Sequence, residues 1–322
     1  MMHFRERVKL FLKGMAMGAA DVVPGVSGGT IAFISGIYEE LLASIKAFGP
    51  ETITVLRKQG VATAWAQFNG NFLATLIAGI VASILLLVRP ITWALEHEPV
   101  LIWAFFFGLI AASVFVCGRL VRKWGASPAI MLLIGAAIAI WIGLVKPATV
   151  AGGLPFFFLA GAIAICAMIL PGISGSFILL LLGAYAPVME AIKTFDLPII
   201  LVFVLGCIGG LMAFSRVLSW LFQHQHDSTV ALLSGFLLGS LTIVWPWKEI
   251  ESVRMVHEGK PDEHLVPFIQ TNVWPGEYAQ ITANDTLLGI TDKDPHLIGA
   301  ILLMLVGAAL LIGLEKIGAQ RA

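Results

Sequence analysis

Two short stretches of this chain combine proline, glycine and hydroxyl side chains in a pattern suited to holding an anion. Residues 24–30 read Pro-Gly-Val-Ser-Gly-Gly-Thr, and residues 171–176 read Pro-Gly-Ile-Ser-Gly-Ser. Such a turn, opening into a new helix, leaves backbone N–H groups without partners, and its glycines allow close approach to them. The start of a helix carries partial positive charge, so a phosphate or carboxylate oxygen is a natural partner. The positions that carry this chemistry are Ser27, Gly28, Gly29 and Thr30 in the first turn, and Ser174, Gly175 and Ser176 in the second. The alternative is that the glycines serve helix packing and the serines cap helices, with any ligand elsewhere.

Two formal charges sit well inside apolar sequence, Asp21 and Arg216. A charge at the centre of a lipid-embedded helix costs about 2.5–3.5 kcal/mol on insertion scales, so each needs a partner or water. Asp21 reads either as a proton or cation site or as a cap on the N–H groups of the neighbouring turn. Arg216 reads either as the cation for an anionic headgroup or as a side chain that snorkels toward Gln223. Glu39 and Glu40 read as solvated, and His224 and His226 as polar filler in a short loop. Cys117, Cys166 and Cys207 lie far apart, which indicates neither a disulfide framework nor a metal site. There is no His-Glu-x-x-His, no phosphate-binding Walker loop and no nucleophile elbow, so no catalytic residue and no cofactor is expected.

The elements that position these residues follow from composition. Of 322 residues, 58% are apolar and only 12% charged, with a mean hydropathy of +0.92, whereas soluble domains have about 25% charged residues. The chain is therefore expected in a membrane, and the balance of 20 basic and 20 acidic residues excludes a polybasic nucleic-acid binder. Spanning helices are expected at 71–88, 100–118, 128–145, 199–222, 229–247 and 296–314. Tryptophans 65, 93, 103, 124, 220, 245 and 247 near their ends read as interfacial anchors. Residues 8–42 and 153–185 are apolar too, but each is interrupted by its Pro-Gly turn, which predicts two re-entrant hairpins. The basic start of the chain is taken as part of the first hairpin rather than as a signal sequence.

An offset of 147 residues superposes the two turns and carries on through Gly36/Gly183 and Tyr38/Tyr185. Asp21 falls opposite Met168, so the repeat alone does not require an acid there. The expected fold is an all-α integral membrane protein with one hairpin and three spans per repeat, the first over 1–147 and the second over 148–322. A unit crossing an odd number of times makes the second copy inverted. With both termini in the cytoplasm, twelve Lys/Arg fall inside and seven outside, as the positive-inside rule requires. Residues 248–295 then form a polar external loop domain or lid without metal-ligand spacing, in which His257 and His264 read as solvated.

The doubled Pro-Gly-x-Ser-Gly turn, each copy followed by Gly-x-Tyr (Gly36 and Tyr38, Gly183 and Tyr185), resembles the polyprenyl-phosphate transporter family over nearly the whole chain. The resemblance implies return of undecaprenyl phosphate from the outer to the inner leaflet of the bacterial cytoplasmic membrane. It implies that residues 27–30, 174–176 and Arg216 hold the phosphate, that Asp21 couples transport to a proton or cation, and that the polyprenyl tail stays in lipid. Integral-membrane undecaprenyl-diphosphate phosphatases share the plan and carry Pro-Gly-x-Ser-Arg-Ser. Here Gly28 and Gly175 stand at that arginine position and no membrane-embedded Glu-x-x-x-Glu occurs, which leaves little to stabilise a leaving diphosphate oxygen. A transporter of a small soluble anion would use the same turns.

Overall fold

A chain this apolar has to satisfy its backbone hydrogen bonds internally, and it does so almost wholly in helices. The computed structural model describes residues 4–23, 26–147, 152–256, 264–291 and 293–319; Pro24 and Gly25 of the first turn and His257 lie outside the described residues. The first half contains α1 (Phe4–Val22), α2 (Gly28–Ile34), α3 (Tyr38–Lys46), α4 (Pro50–Gln59), α5 (Val61–Gln67), α6 (Gly70–His97), α7 (Pro99–Gly118) and α8 (Ala126–Leu144). The second contains α9 (Leu154–Ile169), α10 (Gly175–Leu181), α11 (Tyr185–Thr194), α12 (Leu197–His224) and α13 (His226–Ser240), then strands β1 (Lys248–Val256) and β2 (His264–Asn272), α14 (Pro275–Tyr278), α15 (Ala283–Leu287) and α16 (Leu297–Ala319).

Helices α6, α7, α8 and α12 are long and apolar enough to span a bilayer, and α10 and α11, bent by 105° at their junction, could supply one more crossing. The outward faces stay apolar: Leu85, Leu144 and Ile298 are each at least 75% exposed. Only a hydrocarbon surrounding makes such a surface stable, and the protein is a multi-pass membrane protein.

Four features depart from the expectation. The helices over 71–88 and 199–222 are longer, 28 residues each, and run on to His97 and His224. The expected span 229–247 is helical only to Ser240, where Ser240 and Thr242 bond back to Leu237 and Gly239 and Pro246 follows. Each interrupted region forms three helices rather than two legs, because Gly36 (φ +73°) and its repeat mate Gly183 (φ +71°) both adopt the left-handed conformation and turn the chain. Finally, the fold is not all-α: β1 and β2 pair antiparallel, Lys248 opposite Asn272 and Val256 opposite His264, with a bulge around Ser252.

The main packings are α1 on α6, α9 on α12, α8 on α13 and α7 on α16. In lipid there is no hydrophobic drive between helices, so small residues that let backbones touch decide the contacts. The contacts of the first half recur in the second. Gly14 faces the Leu76 carbonyl as Gly161 faces that of Phe203, and Gly79 faces Phe11 as Gly206 faces Phe158. Gly108 meets Met304 and Gly235 meets Leu132, while Gly135 meets Leu232 and Gly307 meets Phe105. Phe158 with Gly206 and Ala162 with Gly210 show that α9 and α12 run in the same direction, as do α1 and α6.

Residues 245–295 form a small module on the α7 and α16 N-termini. Trp247 is only 4% exposed, packs with Val100, Ala104 and Ala300, and donates its indole N–H to the Pro295 carbonyl at 2.9 Å. Trp245 donates likewise to Val273. These two tryptophans hold the module in place rather than facing lipid, whereas Trp93 and Trp220 are more than half exposed. Inside the module, the fully buried Asp285 pairs with Lys293 at 2.6 Å and accepts from the Thr282 hydroxyl and N–H at 2.7 and 2.8 Å. Burial alone would raise the Asp285 pKa, but the bonds from Lys293 and Thr282 win and hold it below the ordinary carboxylate value.

Two tests follow from this packing. A Cβ at Gly235 would land on the Leu132 carbonyl, whereas at Gly313 it would meet open space. Gly235→Leu should cost about 1–3 kcal/mol or prevent folding, and Gly313→Ala should stay within about 0.5 kcal/mol, both read by thermal unfolding in detergent. A carboxyl whose folded pKa is depressed stabilises above its unfolded pKa and loses that stabilisation as pH falls. The protection of the amides of 282–291 against hydrogen exchange, taken relative to the intrinsic rate at each pH, should therefore fall below about pH 4, and Asp285→Asn should cost the module about 3–5 kcal/mol already at neutral pH.

Candidate functional site

The two Pro-Gly turns meet in the interior. Ser27 is extended (φ −125°, ψ 133°) and caps α2 by accepting from the Gly29 N–H at 3.1 Å. Its hydroxyl proton goes across to the Met168 carbonyl at 2.9 Å. Thr30 accepts from the Gly172 N–H at 2.9 Å, and Tyr38 donates to the Ile169 carbonyl at 3.2 Å. A side chain on Gly29 would collide with the Ile169 carbonyl, so glycine there is a condition of the contact. Groups left open by breaking α9 are thus satisfied by hydroxyls of the first half.

Asp21, at the end of α1, accepts from the Gly28 N–H at 2.7 Å. Its carboxylate lies at the head of α2, so the first turn already holds an anion, one from its own chain. The second turn differs. Ser174 caps nothing and shares a 2.9 Å hydrogen bond with Ser176, whose side chain is exposed, while Met168 stands where the first copy has Asp21. The Gly175 and Ser176 N–H groups make no hydrogen bond with any described residue.

The structure therefore brings Asp21, Ser27, Gly28, Gly29 and Thr30 together with residues 168–172, and sets Ser174, Gly175 and Ser176 beside them at the head of α10. Arg216 is held elsewhere. Its guanidinium donates to the Met212 carbonyl at 2.7 Å on its own helix and to the Phe48 carbonyl at 3.3 Å, just past α3.

Two features were not read from the sequence. His226 is no filler: its ring lies 3.8 Å from Glu39 and 3.3 Å from Asp227, and Asp227 in turn accepts from the Arg122 and Lys123 N–H groups. The second is a repeat at another offset. Arg89, Trp93 and His97 on α6 match Arg216, Trp220 and His224 on α12 at an offset of 127 residues. In both copies His Nδ1 lies 2.9 Å from the Trp carbonyl, and the rings stack at 4.8 and 4.9 Å. A search held to an offset of 147 misses this, because α4 and α5 are present in the first half only. The signal was available as Arg-x-x-x-Trp-x-x-x-His occurring twice.

Residues 17–261 match a protein family described as undecaprenyl phosphate translocase-like. A protein of Vibrio cholerae named polyprenyl-phosphate transporter is 47% identical over 306 residues, 95% of either chain. One of the same name from Staphylococcus aureus is 34% identical over 253 residues, covering 73% of this chain and 85% of that protein. No solved structure matches.

The interlock makes the two turn serines unequal, since Ser27 caps its helix and Ser174 does not. Ser27→Ala loses both a cap and a cross-link and should cost about 1–2 kcal/mol of stability. Ser174→Ala should leave stability within about 0.5 kcal/mol. Equal melting shifts for the two variants in detergent would contradict the geometry.

Proposed function

Since the chain belongs to the undecaprenyl phosphate translocase-like family, we propose that it carries polyprenyl phosphate, undecaprenyl phosphate above all, from the outer to the inner leaflet of the bacterial cytoplasmic membrane. Both termini are cytoplasmic and the 248–295 module is external. The protein is a carrier, without a chemical step on the lipid. Its halves are an inverted repeat around two re-entrant regions, and alternating exposure of the turns moves the headgroup while the tail remains in lipid.

One observation carries this reading: the open head of α10, with Ser174 and Gly175 buried and Ser176 exposed, beside a first turn whose equivalent position is filled by Asp21. Parallel running of α1 with α6 and of α9 with α12 supports re-entrant regions, since the chain between each pair has to return to the side it left. The phosphate is held by Ser174, Gly175 and Ser176, with Ser27, Gly28, Gly29 and Thr30 completing the cradle once Asp21 releases the Gly28 N–H. Protonation, or capture of a cation, is what releases it, because a neutral or paired carboxyl accepts that bond more weakly. This couples headgroup binding to an ion gradient. Arg216 adds positive charge on the approach to the turns.

Purified protein in vesicles with labelled undecaprenyl phosphate tests the assignment. The lipid should redistribute between leaflets faster than in empty vesicles, and Ser174→Ala should slow it about tenfold or more. Asp21→Asn should still bind the lipid but lose the response to an imposed pH or cation gradient. Redistribution no faster than in empty vesicles would remove the carrier reading, and release of inorganic phosphate from the diphosphate would replace it with an enzyme.

A further inference from the structure

The long helices of the two halves pack in equivalent pairs, so the short helices, whose packing is not equivalent, are informative. Helix α3 packs on α12 of the opposite half, whereas its repeat mate α11 has no comparable packing on α6 among the described residues. The side chains show the difference. Tyr38 and Leu42 on α3 are 2% and 1% exposed, while their mates Tyr185 and Met189 on α11 are 38% and 39% exposed. Tyr38 stacks edge-on with Phe222 of α12 at 5.9 Å. On α12, Ser215 is fully buried, but its mate Val88 on α6 is 38% exposed.

The polar contact follows the same rule. Arg216 reaches across to the Phe48 carbonyl. Offsets of 127 and 147 residues make Arg89 the mate of Arg216 and Phe195 the mate of Phe48. Arg89 is exposed and has no hydrogen bond or ion pair with a described residue, and Phe195 is 79% exposed. One half thus makes a set of contacts for which the other holds Tyr185, Met189, Arg89 and Phe195 as counterparts, all exposed.

We infer that Arg89, Tyr185 and Phe195 are positioning residues for a second state, in which α11 docks on α6, Arg89 donates to the Phe195 carbonyl, and the α3–α12 contact opens. Exchanging the roles of two inverted halves turns a site that faces one side into one that faces the other. Two packings of equivalent composition differ little in energy, which is what a two-state carrier needs. The halves are joined differently, however. Residues 195–196 alone link α11 to α12, so the second hairpin pivots there, and Phe195 is already in the left-handed region (φ +55°) that non-glycine residues rarely hold. The first hairpin has the whole of α4 and α5 as slack. Glu39 of α3 also lies 3.8 Å from His226 at the start of α13, an approach the second half cannot repeat, since their mates are Ala186 and Pro99.

This inference rests on the alternating-access reading, and cross-linking separates the two. In a background with Cys117, Cys166 and Cys207 replaced by Ala, one variant carries Phe48→Cys with Arg216→Cys and another Phe195→Cys with Arg89→Cys. Both are reconstituted in vesicles and treated with a short bis-thiol reagent, with no polyprenyl phosphate present. Each pair should cross-link, and in a four-cysteine chain linking one pair should suppress the other. Arg89→Gln should raise the yield of the 48/216 pair about tenfold by removing the bond that favours the second state. Trp fluorescence and a single gel-filtration peak establish that each variant is folded. A folded protein whose 48/216 pair links while 195/89 never does, or an Arg89→Gln variant with unchanged yield, overturns the inference without touching the substrate. Both links forming in the variants, while the unsubstituted chain in the same vesicles fails to move polyprenyl phosphate, would instead remove the substrate assignment and leave the two states standing.

Discussion

A helix broken inside hydrocarbon must find partners for the backbone groups that the break leaves open, and everything else in this protein is arranged around that need. The chain breaks α1 and α9 at related places and closes the open groups across the boundary between its halves. Ser27 donates to Met168, Thr30 accepts from Gly172, and Tyr38 donates to Ile169. The two turns are each other's solvent. That dependence explains why residues 26–30 of the first turn are buried and why glycine, not merely a small residue, stands at position 29.

Closure is incomplete on one side only. Asp21 fills the head of α2, while the head of α10 is served by two serines that bond mainly to each other. The asymmetry comes from a few residues, Asp21 against Met168, Gly29 against Ser176 and Thr30 against Phe177, within a fold whose long helices pack in duplicated pairs.

Those duplicated contacts set how the molecule can move. Pairs such as Gly108 with Met304 and Gly235 with Leu132 bring backbones into direct contact, and packing that close resists sliding. The α1–α6 and α9–α12 pairs are equally tight, so change is left to the short helices between them. Of these, α11 has the looser surroundings, with Tyr185 and Met189 exposed, whereas α3 is docked on α12 and brings Glu39 within 3.8 Å of His226.

Much of this was legible in the sequence. Apolar runs located the four helices long enough to span, because a lipid surround imposes length and composition directly on the chain, whereas Trp245 and Trp247, read as interfacial anchors, hold the 245–295 module instead. The offset of 147 exposed the doubled turn, and Asp21 and Arg216 stood out because charge in hydrocarbon is costly. The β-hairpin escaped notice, since its alternation is broken by the bulge at Ser252, as did the second repeat of Arg, Trp and His, hidden by the extra α4 and α5. Three things were decided only by tertiary structure: which of the two turns is already occupied, that Arg216 serves the end of α3, and that α3 is docked while α11 is not. The physical reason is that a sequence fixes the groups each half offers, and equivalent halves offer nearly equivalent groups. Which offers are taken up depends on distances between segments more than a hundred residues apart, and those distances exist only once the helices have packed.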